Sequence, residues 1–555
     1  MGFVQTPPSL GNQYTDDRVL RSYLASALTA DERQAAGPQL ERMGALAGGE
    51  LYRQQLAERE LEPVLVQWDA WGNRVDRIET TPLWRRAEAI AAREGLVALA
   101  YERPFGERSR VLQFALVYLF TASTEIYACP LAMSDGAARA LVVSGNQPLL
   151  DRALPRLTSR DPTRFWTSGQ WMTEQAGGSD VAPSETVARL EGGGWRLYGR
   201  KWFTSAITSQ MALTLARPEG NPAGGRGLAM FYLETRDDAG APNRLTVDRL
   251  KDKLGTRKLP TAELTLDGTP AVPVGELANG VRAISTVLNI TRTWNSVAAL
   301  AYMRRGLALA RSYAGLRRAF ERPLAEQPLH ADTLAGLQAE FEASFHLTFR
   351  LVELLGRAEC GLGRAEDEAL LRILTPVVKL TTGRQAVAVV SEVLEAFGGA
   401  GYVEDTGLPV LLRDTQVLTI WEGTTNVLSL DTLRALGDGG IAPLARAVER
   451  ELAGVREPAL LAVAGRVRAA LGAAGAWLAA HASRDDASRE ADARRFALTL
   501  GRATAAALLA SHAQWSLDHE HDRRAVAAAA RFGATELDLI ASFDPAQSRL
   551  LAADR

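Results

Sequence analysis

One block of the chain, from about Phe165 to Val274, differs in pattern from everything on either side of it. Its short runs alternate in polarity and are separated by glycines and prolines, which is typical of β-strands joined by turns. Val187–Glu191 and Trp195–Arg200 flank three glycines and predict a β-hairpin, and further strands are predicted at 211–216, 228–233, 244–249 and 262–266. We therefore expect an α+β, mostly helical protein with a β-domain inserted between helical regions.

The flanking regions carry the spacing of helices. Asp16 and Asp17 are placed to cap a helix that runs to about Leu28, and Thr29–Glu32 has the composition of a second helix start. Beyond Glu276 the pattern predicts long helices at 281–313, 332–357 and 366–397. A last alanine-rich helical block follows Gly437–Gly440, which we interpret as a linker. The predicted domains are 1–164, 165–275, 276–437 and 438–555.

Composition narrows the class of protein. The chain has 555 residues, more than one core supports, with 63 Lys plus Arg against 65 Asp plus Glu. This balance does not favour nucleic acid or an acidic membrane surface as a partner. Two cysteines exclude a disulfide framework and a cysteine-built metal site, and they fit a reducing compartment.

Two further features bear on metals and on location. His512, His519 and His521 fall close together, but acidic residues and arginines surround them, so we expect solvated helix positions and no metal site. No basic segment followed by an apolar one opens the chain, and the longest apolar run, Val111 to Ala122, is too short to span a bilayer. These observations predict a cytoplasmic protein without a membrane segment.

The segment from Leu418 to Asn426 carries the candidate catalytic group. Glu422 follows mostly apolar residues, and partial burial there would raise the pKa of its carboxyl and make it a better proton acceptor. Gly423 allows a sharp turn and the close approach of a ligand. The alternative, more common for a single carboxylate, is a solvated glutamate at a corner between two helices.

Four other segments are candidate ligand contacts, each with an ordinary structural alternative. Trp171–Val181 contains adjacent glycines, Ser179 and Asp180, and alone it is also a plain turn. Gly199–Ser205 couples two aromatics to two hydroxyls, which suits a flat cofactor or a half-buried strand. Tyr313–Phe320 has paired arginines for phosphate or for solvent. Glu395–Tyr402 is rich in glycine, but no βαβ unit surrounds it, so it is not a Rossmann fingerprint.

The order of these motifs is more specific than any of them alone. Met-Thr-Glu…Gly-Gly-Ser-Asp-Val, Gly-Arg-Lys-Trp-Phe, Asp252–Arg257, Arg-Arg-Ala-Phe, Phe-Gly-Gly-Ala-Gly-Tyr and Trp-Glu-Gly-Thr succeed one another. This succession resembles the acyl-CoA dehydrogenase family over about residues 165–435. The long N-terminal region, the Ile-Trp-Glu-Gly sequence and the extra C-terminal block resemble the adaptive-response, AidB-type flavoproteins within it.

The resemblance implies a fold, a cofactor and site residues. The fold would be an N-terminal helical domain, a middle β-domain and a C-terminal four-helix domain with FAD between the last two, here followed by an extra helical domain. Glu422 matches the catalytic base, and Ser179 and Arg292 match substrate contacts. The FAD contacts implied are Met172, Thr173, Gly178, Ser179, Phe203, Thr204, Ser205, Arg317, Phe320, Glu395, Gly398, Gly399, Thr424 and Asn426.

The family pattern also implies partners. Glu395, Gly398 and Gly399 match a segment that reaches FAD from a neighbouring subunit, which implies a homo-oligomer, expected to be a tetramer. An electron-transferring flavoprotein is the expected electron acceptor. Asn289, Glu395 and Pro328 depart from the aspartate, glutamine and glutamine common in the family. These departures leave the FAD prediction in place and bear on the affinity for CoA thioesters.

The implied reaction is the α,β-dehydrogenation of an acyl-CoA thioester, with Glu422 removing the α-proton while hydride passes from the β-carbon to flavin N5. An acyl-CoA oxidase, which returns electrons to oxygen, is an alternative. Another alternative is an AidB-type DNA-associated protective flavoprotein with weak or no dehydrogenase activity. Residues 441–555 contain 15 arginines, no lysine and 14 acidic residues, so this block is nearly neutral and DNA is not favoured. Arg494, Arg495, Arg523 and Arg524 would be the candidates for a basic face.

Overall fold

The structure is a computed structural model that describes residues 5–481 and 486–554. Its contacts divide the chain into two compact units. The helical unit consists of the described residues within 1–49, 105–119 and 295–555, and the sheet unit consists of residues 50–104 and 120–294.

The first part of the chain is mainly helical, and both predicted helix starts are confirmed. The carboxylate of Asp17 accepts a hydrogen bond from the Leu20 N–H at 3.0 Å, and Thr29 forms a capping box with Glu32. These caps satisfy backbone donors that the first turn of a helix leaves free. The helices are α1 (Arg18–Ala27), α2 (Ala30–Gly48), α3 (Glu50–Ala57), α4 (Pro82–Arg93), α5 (Leu99–Glu102), α6 (Ser109–Thr121), α7 (Ala128–Ser144) and α8 (Gln147–Leu157).

A β-hairpin interrupts these helices, in a stretch whose pattern we had interpreted as helical. Strands β1 (Val64–Trp68) and β2 (Arg74–Glu79) pair antiparallel, with Leu65 opposite Ile78. These two side chains pack against the core of the sheet unit, and the amide of Gln67 donates to the Val247 carbonyl at 3.0 Å. A run of apolar and β-branched residues followed by a Gly-Asn turn was the signal for this hairpin.

The inserted block is the β-domain that the sequence predicts. Its strands are β3 (Ser168–Trp171), β4 (Val187–Glu191), β5 (Gly194–Ser205), β6 (Met211–Pro218), β7 (Ala229–Glu234), β8 (Leu245–Leu250) and β9 (Thr261–Pro273). They form one sheet in the order β3-β6-β4-β5-β9-β7, with β8 paired to β9. An additional pairing of β6 with β7 closes the path. Alternate residues point inward and form a core that includes Trp171, Leu197, Phe231 and Leu264.

The rest of the chain is built from long helices, and the predicted ones are confirmed. The elements are α9 (Gly280–Leu316), β10 (Arg318–Ala319), β11 (Arg322–Pro323), α10 (Pro328–Glu359), α11 (Ala365–Ala396), α12 (Leu408–Gln416), α13 (Thr425–Leu436), α14 (Ala442–Leu452), α15 (Pro458–Ala480), α16 (Asp486–His519), α17 (Arg524–Gly533) and α18 (Pro545–Ala552). Strands β10 and β11 form a separate two-residue ladder.

The last helical block shares its core with the helices before it. Residues Gly437–Gly439 form a single turn of 3₁₀ helix, and helices α14 to α17 bury their apolar sides against α10 and α11. Leu347, Leu374 and Val378 thus lie in one cluster with residues such as Leu460 and Phe532. The glycine cluster is therefore a tight corner between helices that share one core.

Helix α15 is long and apolar enough, by length and composition, to cross a membrane, and it is the single such helix within residues 5–481 and 486–554. Its buried residues Leu460, Val463, Val467 and Leu471 belong to the core cluster of the helical unit. The other face carries mainly alanine and glycine, with Arg466 and Arg468.

His512 is half-buried and packs against His346 of the helical unit, so the expectation of a solvated position is correct only in part. Its ring centroid is 4.3 Å from that of His346, and its Nε2 is 3.0 Å from the Ser22 hydroxyl. Burial lowers the pKa of His512 to about 4 and the pKa of His346 well below its usual value. His519 and His521 are exposed, and in the described parts of the chain no group of three or more His, Cys, Asp or Glu is placed to hold a metal.

Candidate active site

Glu422 lies on a sharp turn between a short 3₁₀ helix, Val417–Thr419, and the start of α13. Its φ is +58°, in the left-handed region, and Gly423 follows with a φ of +103°. The left-handed conformation costs a residue with a β-carbon roughly 1–2 kcal/mol of conformational free energy. The turn is therefore strained at the residue predicted to be catalytic. The Glu422 side chain is half-buried, between the two alternatives left open by the sequence.

Two helices hold this turn through buried side chains. The amide of Asn295, on α9, donates to the Leu418 carbonyl at 3.2 Å, and its oxygen accepts from the indole N–H of Trp421. The ammonium of Lys379, on α11, donates to the Gly423 carbonyl at 2.6 Å. A neutral hydrogen bond contributes about 0.5–1.5 kcal/mol and one to a charged group about 1.5–3 kcal/mol, so together these bonds outweigh the strain.

Helix α11 also approaches the turn at its backbone. A β-carbon placed on Gly383 would lie 2.8 Å from the Leu418 carbonyl oxygen, which is too close for any side chain. A glycine at this position is therefore required for the contact. The fixed backbone places Glu422 on rigid elements, as a catalytic carboxylate needs.

Some of the hydroxyl and amide groups that follow Glu422 already form hydrogen bonds within the chain. The Thr424 hydroxyl caps α13 by accepting from the Val427 N–H at 3.4 Å. Asn426 is exposed, and its side-chain oxygen accepts from Arg494 at 3.4 Å. Backbone N–H groups at the start of α13 make this end of the helix suited to an anionic ligand.

In the sheet unit, the first predicted flavin segment is a loop after β3. Glu174 and Gly177 form an isolated bridge, and residues 175–180 are exposed. A β-carbon on Gly178 would lie 2.4 Å from the Thr173 hydroxyl, so the loop folds tightly on itself. The Met172 side chain packs against an apolar cluster of the sheet unit, which leaves its backbone for a ligand.

The second predicted segment, at the end of β5, lies beside this loop. The Trp202 N–H donates to the Thr173 carbonyl at 2.9 Å. Beneath them, the buried ammonium of Lys201 donates to Glu174 at 2.7 Å and to the Leu215 carbonyl at 2.8 Å. The structure thus brings the two segments together, through an ion pair that sequence reasoning missed.

The ion pair sets the charge states of its two members. Burial raises the pKa of the Glu174 carboxyl, but the attraction and hydrogen bond of Lys201 outweigh it and leave that pKa below its usual value. Burial lowers the pKa of Lys201, and the attraction of Glu174 opposes this effect. The pair anchors the loop to the sheet.

An aromatic surface lies next to the anchored loop. The ammonium of Lys251 is 3.8 Å from the ring centroid of Trp202 and 4.6 Å from that of Phe203, whose side chain is 49% exposed. Lys251 is also bound to Glu263 at 2.8 Å, and sequence reasoning did not single it out. The Thr204 hydroxyl is used within the sheet, donating to the Ala262 carbonyl, and Ser205 pairs with Thr261.

Arg317 and Phe320 lie at the end of α9, where β10 and β11 form a tight hairpin. Phe320 and Glu321 both have positive φ, at 50° and 69°, as in a type I′ turn. Phe320 is 90% exposed, and Arg317 is half-buried. Near this hairpin the Tyr313 ring lies 4.5 Å from Phe397, at the end of α11.

That contact brings a further predicted segment beside the hairpin. Glu395, Gly398 and Gly399 follow one another at the end of α11 and are exposed. The helical unit therefore presents Phe320 and the Gly398–Gly399 turn as neighbouring open surfaces. Of the predicted substrate contacts, Ser179 is exposed in its loop and Arg292 is buried on α9.

Within each unit taken by itself, the residues described fit a part of FAD. Gly178 permits a close approach of backbone that a β-carbon would block, and the Trp202–Phe203 surface offers flat apolar faces of the kind that an isoalloxazine ring packs against. The N-terminus of α13, with Asn426 exposed, provides N–H groups for phosphate.

The arginines proposed for a basic face are mostly engaged with carboxylates. Arg524 binds Glu342 with an Nη1–Oε2 distance of 3.1 Å, and Arg523 and Arg495 bind Glu457 and Asp492 at 2.6 and 2.5 Å. Arg494 contacts Asn426. Charges neutralised in this way contribute little to phosphate binding, so the DNA-binding alternative is not favoured.

Comparison with protein families gives matches to domains of acyl-CoA dehydrogenases and of AidB along most of the chain. The acyl-CoA dehydrogenase C-terminal domain matches residues 278–437, and the middle domain of the same family matches residues 169–269. The N-terminal domain of adaptive response protein AidB matches residues 5–162, and a C-terminal domain-like profile of acyl-CoA dehydrogenase 11 matches residues 441–550.

Individual relatives agree with these matches. The chain is 46% identical over 446 residues to acyl-CoA dehydrogenase family member 11 of Caenorhabditis elegans, covering 78% of this chain and 72% of that protein. It is 32% identical to the putative acyl-CoA dehydrogenase AidB of Escherichia coli (strain K12), over 67% and 69% of the two chains. The crystal structure of C. elegans ACDH-11 in complex with C11-CoA superposes with a TM-score of 0.94 at 40% identity, covering 100% of this chain and 96% of that one.

The chain therefore belongs to the acyl-CoA dehydrogenase family. Within it, the N-terminal match and the relatives place the chain among the AidB-like members. FAD is the cofactor of this family, and the predicted family and fold are confirmed.

Proposed function

We propose that the protein oxidises an acyl-CoA thioester between its α- and β-carbons, with Glu422 as the base. The observation that carries this proposal is the turn of Glu422, a strained carboxylate position held by buried side chains from α9 and α11. A chain that needed only a corner here would gain stability from a glycine or asparagine at φ +58°. The similar ACDH-11 structure is a complex with C11-CoA, which supports an acyl-CoA thioester as the substrate class.

The chain's own residues supply binding, orientation and proton transfer. A thioester acidifies its α-carbon, and the Glu422 carboxylate takes the α-proton. Backbone N–H groups near Glu422 are expected to donate to the thioester carbonyl, where negative charge develops. Bound FAD would supply the acceptor for the β-hydrogen and its electron pair. The C–H bonds at both carbons break, a C=C bond forms, and the carboxyl of Glu422 ends protonated.

We assign FAD to the segments that the structure describes in the two units. In the sheet unit these are the loop Met172–Ser179 and the strand end Phe203–Ser205. In the helical unit they are Arg317, Phe320, Glu395, Gly398, Gly399, Thr424 and Asn426. Ser179 and Arg292 are proposed to contact the substrate, and Asn289 is proposed to change the hold on CoA.

Three further expectations complete the proposal. The electron acceptor is an electron-transferring flavoprotein, the protein is a homotetramer, and it is cytoplasmic. The exposed Gly398–Gly399 turn supports the second of these, because the family resemblance implies that this segment reaches toward a neighbouring subunit. The near-neutral net charge of −2 is compatible with all three.

The deciding experiment is an anaerobic titration of the FAD-loaded protein with straight-chain and branched acyl-CoA thioesters, followed by the visible absorbance of the flavin. At least one thioester is expected to bleach the flavin. E422Q should retain FAD and lose at least about a hundredfold in reduction rate, because a positioned base contributes roughly a hundred- to ten-thousand-fold.

The matched control is E449Q, which changes an exposed carboxylate paired with Arg468 in the same unit and should leave the rate unchanged. A protein that binds FAD but is bleached by no thioester would overturn the proposal. Hydrogen peroxide formed during turnover in air would instead identify an oxidase.

A further inference from the structure

We infer that Asn295 and Lys379 are positioning residues for Glu422, which they hold through the backbone and the indole ring on either side of it. The inference rests on the proposed role of Glu422 as the base. Neither residue belongs to the motifs that carry the family resemblance. Each acts from a different long helix, Asn295 from α9 and Lys379 from α11.

Both polar atoms of the Asn295 side-chain amide form hydrogen bonds with the turn of Glu422. The Nδ2 group donates to the Leu418 carbonyl at 3.2 Å, and Oδ1 accepts from the Trp421 indole N–H. One planar side chain thus fixes two residues that lie three positions apart, immediately before Glu422. Leucine at this position would keep the volume and lose both bonds, and aspartate would lose the donor.

Asn295 is 4% exposed, so neither bond has water as a ready substitute. Trp421 is itself half-buried, and its indole N–H has one hydrogen to donate. The bond therefore fixes the orientation of the ring directly next to Glu422. The direction of the Glu422 side chain depends on that neighbour, because the two residues share a peptide group.

Lys379 holds the other side of the turn. Its side chain is 1% exposed, and Nζ donates to the Gly423 carbonyl at 2.6 Å. An ammonium is costly to bury, and packing alone would be served better by an apolar side chain of the same length. The bond to Gly423 therefore indicates a role in fixing the backbone that follows Glu422.

The two residues together fix a backbone conformation that Glu422 would not adopt by itself. A positive φ at a glutamate is unfavourable, so release of either restraint allows the turn to relax. The carboxylate would then move relative to the substrate's α-carbon. A displacement of about 1 Å at a reacting group is sufficient to lower a rate about a hundredfold.

The variants that test this are N295L, W421F and K379M in the FAD-loaded protein. We expect kcat about 10- to 100-fold lower in N295L and K379M, with KM within about threefold of the wild type. W421F removes one of the two Asn295 bonds and should lie between N295L and the wild type. Deuterium at the substrate's α-carbon should give a larger isotope effect in these variants than in the wild type, because α-proton removal becomes more rate-limiting.

A second measurement does not depend on turnover. Amide hydrogen exchange across residues 417–427 should become faster in N295L and K379M at unchanged FAD content. Q514L is the matched control, because Gln514 is another buried amide of the helical unit that accepts from the Arg456 and Glu457 N–H groups. It should lower the melting temperature without changing kcat or the exchange of residues 417–427.

Unchanged kcat, or unchanged exchange across residues 417–427, in variants that fold would overturn the inference. If K379M does not fold, N295L and W421F decide in the same way. If no acyl-CoA thioester reduces the flavin of the wild-type protein, the proposed function fails. The exchange measurement then decides alone whether Asn295 and Lys379 fix this turn.

Discussion

The turn of Glu422 and the loop from Thr173 to Ser179 meet the same requirement in different ways. Each is a short segment predicted to contact a ligand and is fixed to regular structure by a buried lysine, Lys379 for the turn and Lys201 for the loop. The loop reverses direction at Gly177, with a φ of +124°, whereas the turn places a glutamate at +58°. The difference indicates that the loop would contact a ligand through its backbone, whereas the turn would present one particular side chain to it.

The two anchors also differ in what they hold. Lys201 binds a side chain of the loop, the Glu174 carboxylate, in a buried ion pair. Lys379 donates to a backbone carbonyl of the turn. Loss of Lys201 therefore leaves a buried charge in place, and this sets the largest stability effect that we expect.

K201M should lower the free energy of unfolding by about 3–5 kcal/mol, because Glu174 would stay buried without its cation. Denaturant unfolding measures this loss, and K201M/E174Q should recover part of it. By comparison, N295L should cost about 1–3 kcal/mol, the range for buried groups left without their hydrogen bonds.

The matched control for K201M is R189M, which breaks an exposed pair with Glu219 and should change stability little. An effect of K201M no larger than that of R189M would show that the ion pair does not anchor the loop. FAD content, measured on the same samples, should fall in K201M and stay unchanged in R189M.

Acid should weaken the two units over different pH ranges. The pKa of His512, in the helical unit, is about 4 in the folded protein against about 6.5 when unfolded, because burial and Arg524 disfavour its charge and Glu520 only partly compensates. A lowered pKa contributes stability that is complete above pH 6.5 and is lost as pH falls toward 4, on the order of 3 kcal/mol. His346, packed on it, shifts in the same direction.

In the sheet unit, the lowered pKa of Glu174 contributes stability that is complete above about pH 4.5 and is lost only below it. Amide exchange at pH 5 should therefore be faster, relative to pH 7 and after correction for the intrinsic rate, in the core of the helical unit than in the sheet. H512Q, which keeps a polar group near Ser22 and does not titrate, should reduce this difference. Equal acid sensitivity of H512Q and the wild type between pH 6.5 and 4 would contradict the assignment.

The smallest expected effect concerns the strain itself. Asparagine tolerates the left-handed region better than glutamate, so E422N should raise the free energy of unfolding by about 0.5–1 kcal/mol while dehydrogenation is lost. E422Q retains the longer side chain and should show no such gain. A stability of E422N equal to that of E422Q would mean that the positive φ costs little here.

The parts of the molecule that were predictable are those with local patterns. Alternation identified six of the seven strands of the sheet, all except β3, and three- to four-residue spacing identified the long helices. The caps at Asp17 and Thr29 followed from residue type alone. The hairpin β1–β2 was missed because its strands are short and lie among helices, and only Leu65 and Ile78 relate it to the sheet core.

The site was predictable where a motif names the residue and not where the role depends on distant partners. Glu422 followed from its neighbours and from the order of the motifs. Asn295 binds Leu418, 123 positions further along the chain, and Lys379 binds Gly423, 44 positions further along. Local residue spacing does not predict such long-range contacts. The burial of Lys201 beside Glu174 likewise cannot be predicted until the strands have been placed.

The continuous core between the last helical block and α10 and α11 makes the block necessary to the rest of the helical unit. A chain ending at Gly437 would expose the side of α10 and α11 that carries Leu347, Leu374 and Val378, a surface suited to aggregation rather than to solvent. Removal of the last helical block would therefore require polar substitutions on this side of α10 and α11, or another chain that covers it.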